Sequence, residues 1–172
     1  RVTLDAISEV CRGMLPSEYR SRPWDLPYGD KNFAKIFDQE DQLNGYAAAY
    51  TNWHKGKLRI AFDHMPTDTF VGEIAVIDWA CGQGLATIFL HEYLEEKGYN
   101  CRIKEVILIE PSEKALDRAK FIIEAIDSKI KVSTVNKKLD EVIDFDIKLF
   151  EKQNAVHLFS NIFDIQGISL KH

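Results

Sequence analysis

Between Ile74 and Leu90 the chain reads IAVIDWACGQGLATIFL: an apolar run closed by an acid, a turn holding two glycines, then a second apolar run. The first run is short enough for a buried strand. Leu85, Ile88, Phe89, Tyr93 and Leu94 then share one stripe of a helix over 85–97, which Gly98 stops in a left-handed conformation. The unit repeats. KEVILIE (104–110) reads as a second strand, and Pro111, Ser112 and Glu113 open a helix, with Ser112 capping free amides and Glu113 in the first turn. Its inward face is Ala115, Leu116, Ala119, Ile122, Ile123 and Ile126. IKVSTV (130–135) is a third strand, 140–150 a weaker helix and AVHLFS (155–160) a fourth strand. Such alternation predicts an α/β fold: a Rossmann-like parallel sheet with helices on both faces and right-handed crossovers. Ligands of such sheets sit beyond the C-terminal strand ends, near the switch point.

The chain before this unit has another texture. PSEYRSRPWDLPYG (16–29) joins a short N-terminal helix to a second one over 38–53, where Leu43, Tyr46, Ala47, Tyr50 and Trp53 fall on one face despite Gly45. After HKGK, Leu58, Ala61, Phe62 and Met65 recur at helical spacing until Pro66. We therefore expect a helical cap over 1–66 and an α/β core over 67–172. The Tyr46, Tyr50 and Trp53 stripe reads as helix core, His54 and His64 as surface residues, and His91 as structural.

Composition narrows the setting. The 172 residues are 45% hydrophobic, enough for one folded domain, and the net charge of -5 neither supports nor excludes a nucleic-acid partner. Cys11, Cys81 and Cys101 have neither disulfide-framework nor zinc spacing. No apolar run approaches the roughly 18 residues of a membrane span. A cytoplasmic protein without metal or membrane partner is the expectation.

At the first strand end, Asp78 adjoins a turn containing Gly82 and Gly84. Glycines allow close backbone approach, and the following helix N-terminus favours an anion. The acid beside it repels a phosphate but suits an ammonium, so a ligand with both ammonium and carboxylate satisfies the pair. Glu110, ending the second strand, suits two vicinal hydroxyls. Amino acid plus ribose suggests S-adenosylmethionine.

VIDWACGQGLAT followed by VILIEPSEKAL resembles the first two motifs of class I S-adenosylmethionine-dependent methyltransferases. The family's acid-x-Gly-x-Gly-x-Gly is matched by Asp78, Gly82 and Gly84, with Ala80 at the first glycine. That departure is mild unless a positive φ is required there. The resemblance implies that Glu110 binds the ribose, that Pro111 and Ser112 lie beside the adenine, and that Asn136, Leu139 or Asp140 meets its amino group, with Asp140 carried as the candidate. It also implies that Asn161, and less securely Ser160, face the methyl group. HLFSNIFDI is not the Asn/Asp-Pro-Pro-Tyr motif of amino-methylating nucleic-acid enzymes. Methyl transfer from a sulfonium needs mainly positioning, and no residue declares itself as a base; His54, His64, Tyr46 and Tyr50 are the possibilities. The family's sheet usually continues beyond a fourth strand. We expect a methyltransferase truncated after that strand, of unknown acceptor, or a non-catalytic binding module of the same fold. Either leaves a strand edge for a partner or a second copy to cover.

Overall fold

The computed structural model describes residues 2–26, 36–143 and 154–160. Helix α1 (Leu4–Met14) begins where the Thr3 hydroxyl accepts from the Ala6 amide, and it buries Leu4, Ser8 and Cys11. Helix α2 (Glu40–Asp63) packs against it, with the small side chains of Ala47 and Ala48 meeting Cys11 and Leu15.

Helix α2 is one continuous element, where the sequence suggested an interruption at HKGK. Gly56 is exposed within it, at a helix cost of about 1 kcal/mol relative to alanine. The flanking turns offset that cost: Lys55 pairs with Asp5 at 2.8 Å, and Arg59 makes two bonds with Glu96 at 2.8 and 2.7 Å. Docking on α1 also rotates the buried face. It runs through Leu43, Ala47, Thr51, His54 and Phe62, leaving Tyr46 and Tyr50 half-buried and Trp53 60% exposed beneath the Lys57 ammonium. The expected aromatic core stripe is therefore corrected at Trp53, while Tyr46 still packs against the main core; His54, expected at the surface, is corrected too, at 4% exposed. His64, at the C-terminal cap of α2, is exposed as expected.

Past Pro66 the chain forms β1 (Gly72–Trp79), α3 (Leu85–Lys97), β2 (Cys101–Ile109), α4 (Glu113–Ile126), β3 (Lys131–Val135) and β4 (Asn154–Phe159). All strands are parallel, in the order β3-β2-β1-β4. The switch point lies between β1 and β4, as a Rossmann-like sheet requires. Ser112 accepts from the Ala115 amide at 3.2 Å, and Gly98 ends α3 at φ 66°.

The main core lies on one face, where Val76, Leu108, Val156 and Leu158 meet Ile88, Phe89, Leu116 and Ala119. Leu4 of α1 and Phe62 of α2 join the same core, so the N-terminal helices share its burial. Each such large side chain contributes about 1.5–3 kcal/mol. On the other face Ile77, Ile107 and Ile109 are flanked by Trp79, Val135, Leu139 and Val142. Leu139–Glu141 is a 3-10 turn, whereas the sequence put a helix over 140–150; residues 144–150 lie outside the described residues. Among the described residues β4 pairs only with β1 and is an edge strand.

Candidate functional site at the end of β1

Beyond β1 the backbone turns through three left-handed residues at alternate positions: Ala80 at φ 51°, Gly82 at 52° and Gly84 at 72°. The turn is fastened to β2 by the Cys81 amide on the Ile109 carbonyl at 3.0 Å, and closed by the Gly84 amide on the Cys81 carbonyl at 2.8 Å. Ala80 is thus no mild departure from glycine, because it holds a conformation costing an L-residue about 1–2 kcal/mol. Glycine there gives back about 0.5–1 kcal/mol in chain entropy. Ala80→Gly is therefore expected to raise stability by about 0.5–1 kcal/mol in chemical denaturation; an unchanged or lower midpoint at equal slope would contradict the strain.

The two glycines do different work. A Cβ on Gly82 would meet nothing within 4 Å, whereas one on Gly84 would stand 3.0 Å from the Ala119 Cβ and 3.4 Å from the Ile123 Cδ1. Gly84 lets α3 approach α4. Gly82 leaves the turn open to an incoming group.

Asp78 is fully buried beneath the turn. Its Oδ2 accepts from the Thr87 hydroxyl at 2.7 Å, while Oδ1 is buried without a hydrogen-bond partner. Burial pushes its carboxyl up to about 7; the Thr87 hydrogen bonds oppose this, and the Glu110 charge adds to it. A buried carboxylate with an unused oxygen is costly without a cation or a proton.

Glu110 follows β2 and reaches the same turn. Its Oε2 accepts from the Gly82 amide and its Oε1 from the Ser112 amide, each at 3.1 Å. Burial raises its carboxyl, and those two amides oppose the shift. Asp78, Ala80, Gly82, Gly84 and Glu110 are thereby brought into one constellation. The Pro111 carbonyl accepts from Asn136 Nδ2 at 2.9 Å and the Glu110 carbonyl from the same nitrogen at 3.0 Å, so Asn136 fastens the β3 end to the β2 end. Asp140 is exposed on its 3-10 turn, and no hydrogen bond joins it to this constellation. Asn161 lies outside the described residues, just past the half-buried Ser160.

Sequence reasoning passed over Gln83, Thr87, Asn44 and Arg118. Gln83 Nε2 donates to the Leu43 carbonyl at 2.9 Å; Arg118 Nη1 donates to Asn44 Oδ1 at 2.8 Å and Gln83 Oε1 at 3.0 Å. A signal existed for Arg118. It stands three residues after Ala115 and four before Ile122, and a charge at the margin of a buried face needs a partner. Farther along α2, the Tyr46 hydroxyl and His54 Nε2 lie 2.9 Å apart. Burial, aided by Lys57, pulls His54 down to about 4, so its imidazole is neutral near pH 7.

No known family profile matches the chain, and no curated protein matches it. Solved structures do. One is an S-adenosylmethionine-dependent methyltransferase from Leishmania major, at 15% identity and a TM-score of 0.39, over 67% of this chain and 42% of its own. Another is a geranyl diphosphate methyltransferase in complex with GPP and sinefungin, at 12% identity and a TM-score of 0.39, over 77% of this chain and 49% of its own. The chain spans less than half the length of either. By its own topology the described core is α/β and Rossmann-like, and both of the solved structures named above are methyltransferases.

Proposed function

We propose that this chain is the S-adenosylmethionine-binding part of a methyltransferase. The observation that carries the reading is the buried, unpartnered Oδ1 of Asp78 beside a glycine turn onto which Glu110 closes. These residues fit the ligand. Asp78 offers a carboxylate oxygen to an ammonium, and the first amides of α3 suit a carboxylate. Gly82 admits close approach, and each Glu110 oxygen, holding one amide, retains a lone pair for a ribose hydroxyl. In this reading Pro111 and Asp140 stand beside the adenine and Asn161 on the methyl side. The bound cofactor supplies an electrophilic methyl on a sulfonium; the chain's own residues hold and orient it. The acceptor is left open.

Calorimetric titration with S-adenosylmethionine and S-adenosylhomocysteine tests this. Hydrogen bonds to a charged group contribute about 1.5–3 kcal/mol. Glu110→Ala is therefore expected to weaken both ligands by about 10- to 100-fold. No heat at millimolar ligand, or equal affinity in the variant, would sink the proposal.

A second reading, a binding module of this fold, is favoured by the edge position of β4 among the described residues. An exposed edge recruits a pairing strand, from a partner chain or another copy. A monodisperse monomer over a wide concentration range, with rapid amide exchange along 155–159, would remove that support.

A further inference from the structure

We propose that the first turn of α2 clamps the cofactor turn, and that Gln83 and Arg118 are the positioning residues through which it acts. The inference rests on the function proposed above. Gln83 lies between the two left-handed glycines and is 4% exposed, and Asn44 is 2% exposed. One end of the Gln83 amide donates to the Leu43 carbonyl, and the other accepts from Arg118. The same guanidinium nitrogen donates to Asn44, and its neighbour Nη2 pairs with Glu40. A second tie runs to the other half of the site. The Ser112 hydroxyl donates to the Phe37 carbonyl, while the Ser112 amide holds Glu110. Residues 37–44 therefore grip both the glycine turn and the anchor of the ribose-binding acid.

An apolar seam would dock a helix without any such consequence. Here the buried Gln83 amide and the half-buried Arg118 guanidinium find partners at the start of α2, and an unsatisfied buried polar group is costly. Undocking that turn leaves Gln83 to seek water, and any shift of its backbone is passed to Gly82 and Gly84 on either side. Docking and ligand binding are then linked, and the linkage is reciprocal.

The test uses the full chain with Asn44→Ala and Asn44→Asp, S-adenosylhomocysteine as probe, and amide hydrogen exchange. Without ligand, Asn44→Ala is expected to speed exchange about tenfold at 82–85 while amides at 75–77 and 106–108 keep the wild-type rate. With ligand, Asn44→Ala is expected to bind about tenfold more weakly. Asn44→Asp retains an acceptor for Arg118 and is expected to bind like wild type. In the wild type the ligand should also slow exchange at 41–44. Unchanged exchange at 82–85, or equal acceleration throughout the sheet, overturns the clamp. Loss in Asn44→Asp as large as in Asn44→Ala assigns the effect to helix stability and overturns it as well. A wild type that binds no S-adenosylhomocysteine refutes the cofactor reading instead, and the ligand-free exchange alone then decides the clamp.

Discussion

Relative to Asp78→Asn, the wild-type protein is expected to lose up to about 4 kcal/mol of folding stability between about pH 4 and pH 7, a slope near 1.4 kcal/mol per pH unit. The sign follows from the direction of the shift. Asp78 titrates near 3.8 when exposed and at about 7 when buried in the fold, so between those values the native state holds a proton that the unfolded state has released. Its contribution is fully present below about pH 4 and fades as pH rises through 7. Glu110, raised by burial, acts in the same direction, whereas Asp63 and Glu73, held low by their bonds to lysine, arginine or tyrosine, act in the opposite one. Groups that keep the same shifts in both proteins cancel in the difference between the two curves. Asparagine retains an oxygen for Thr87, and any cost of its buried amide is a constant offset. Urea midpoints of both proteins at half-unit steps provide the measurement; parallel curves would mean that Asp78 is already ionised in the fold.

The same titration reaches the proposed function. An ammonium against Oδ1 favours the ionised form, so complex formation near pH 6 should expel a proton. Calorimetry in two buffers of unlike ionisation enthalpy reads that proton directly.

How much of this was legible depends on whether the determinants were local. Helix α3 spans 85–97 as read, because Gly84 and Gly98 punctuate both ends by backbone conformation alone. Strands β1 and β2 start two or three residues earlier than their apolar runs suggest; the added stretches carry the charges of Glu73 and Arg102, which pair across the strands, and Lys104 also holds Glu73 at 2.7 Å. Helix α2 could not be read as continuous from HKGK, since the partners that sustain it, Asp5 and Glu96, belong to other helices. The burial of His54 likewise depends on where α1 docks.

In the site, the acids and glycines at the two strand ends were legible because strand ends and turn residues have a local signature. The positive φ of Ala80 was not, since its side chain gives no sign of it. The polar ties through Gln83 and Arg118 join residues 35 and 74 positions apart in the chain. Periodicity carries no information at that range. Only the fold brings a helix from the N-terminal region onto a turn that the sequence presents as self-contained.

Gly84→Ala should destabilise the protein by about 3 kcal/mol, from two additive causes. The left-handed conformation at φ 72° costs an alanine about 1–2 kcal/mol. The new methyl would also lie 3.0 Å from the Ala119 Cβ, an overpacking worth about 1–3 kcal/mol. A double-mutant cycle separates them. Ala119→Gly alone costs about 1 kcal/mol as a helix glycine, but it removes the atom that Gly84→Ala strikes. The pair should thus be at least about 1 kcal/mol more stable than the sum of the single changes predicts, with the conformational share remaining. Strict additivity would mean that α3 and α4 are not in close contact at Gly84. Gly82→Ala makes the contrast: it shares the left-handed cost, but its methyl enters open space and strikes no neighbour. Its folding loss should stay near 1–2 kcal/mol, whereas its affinity for S-adenosylhomocysteine should fall, because that space is where the proposed ligand approaches the backbone. A Gly82→Ala protein that binds as tightly as wild type would place the ligand elsewhere, whatever happens to its stability.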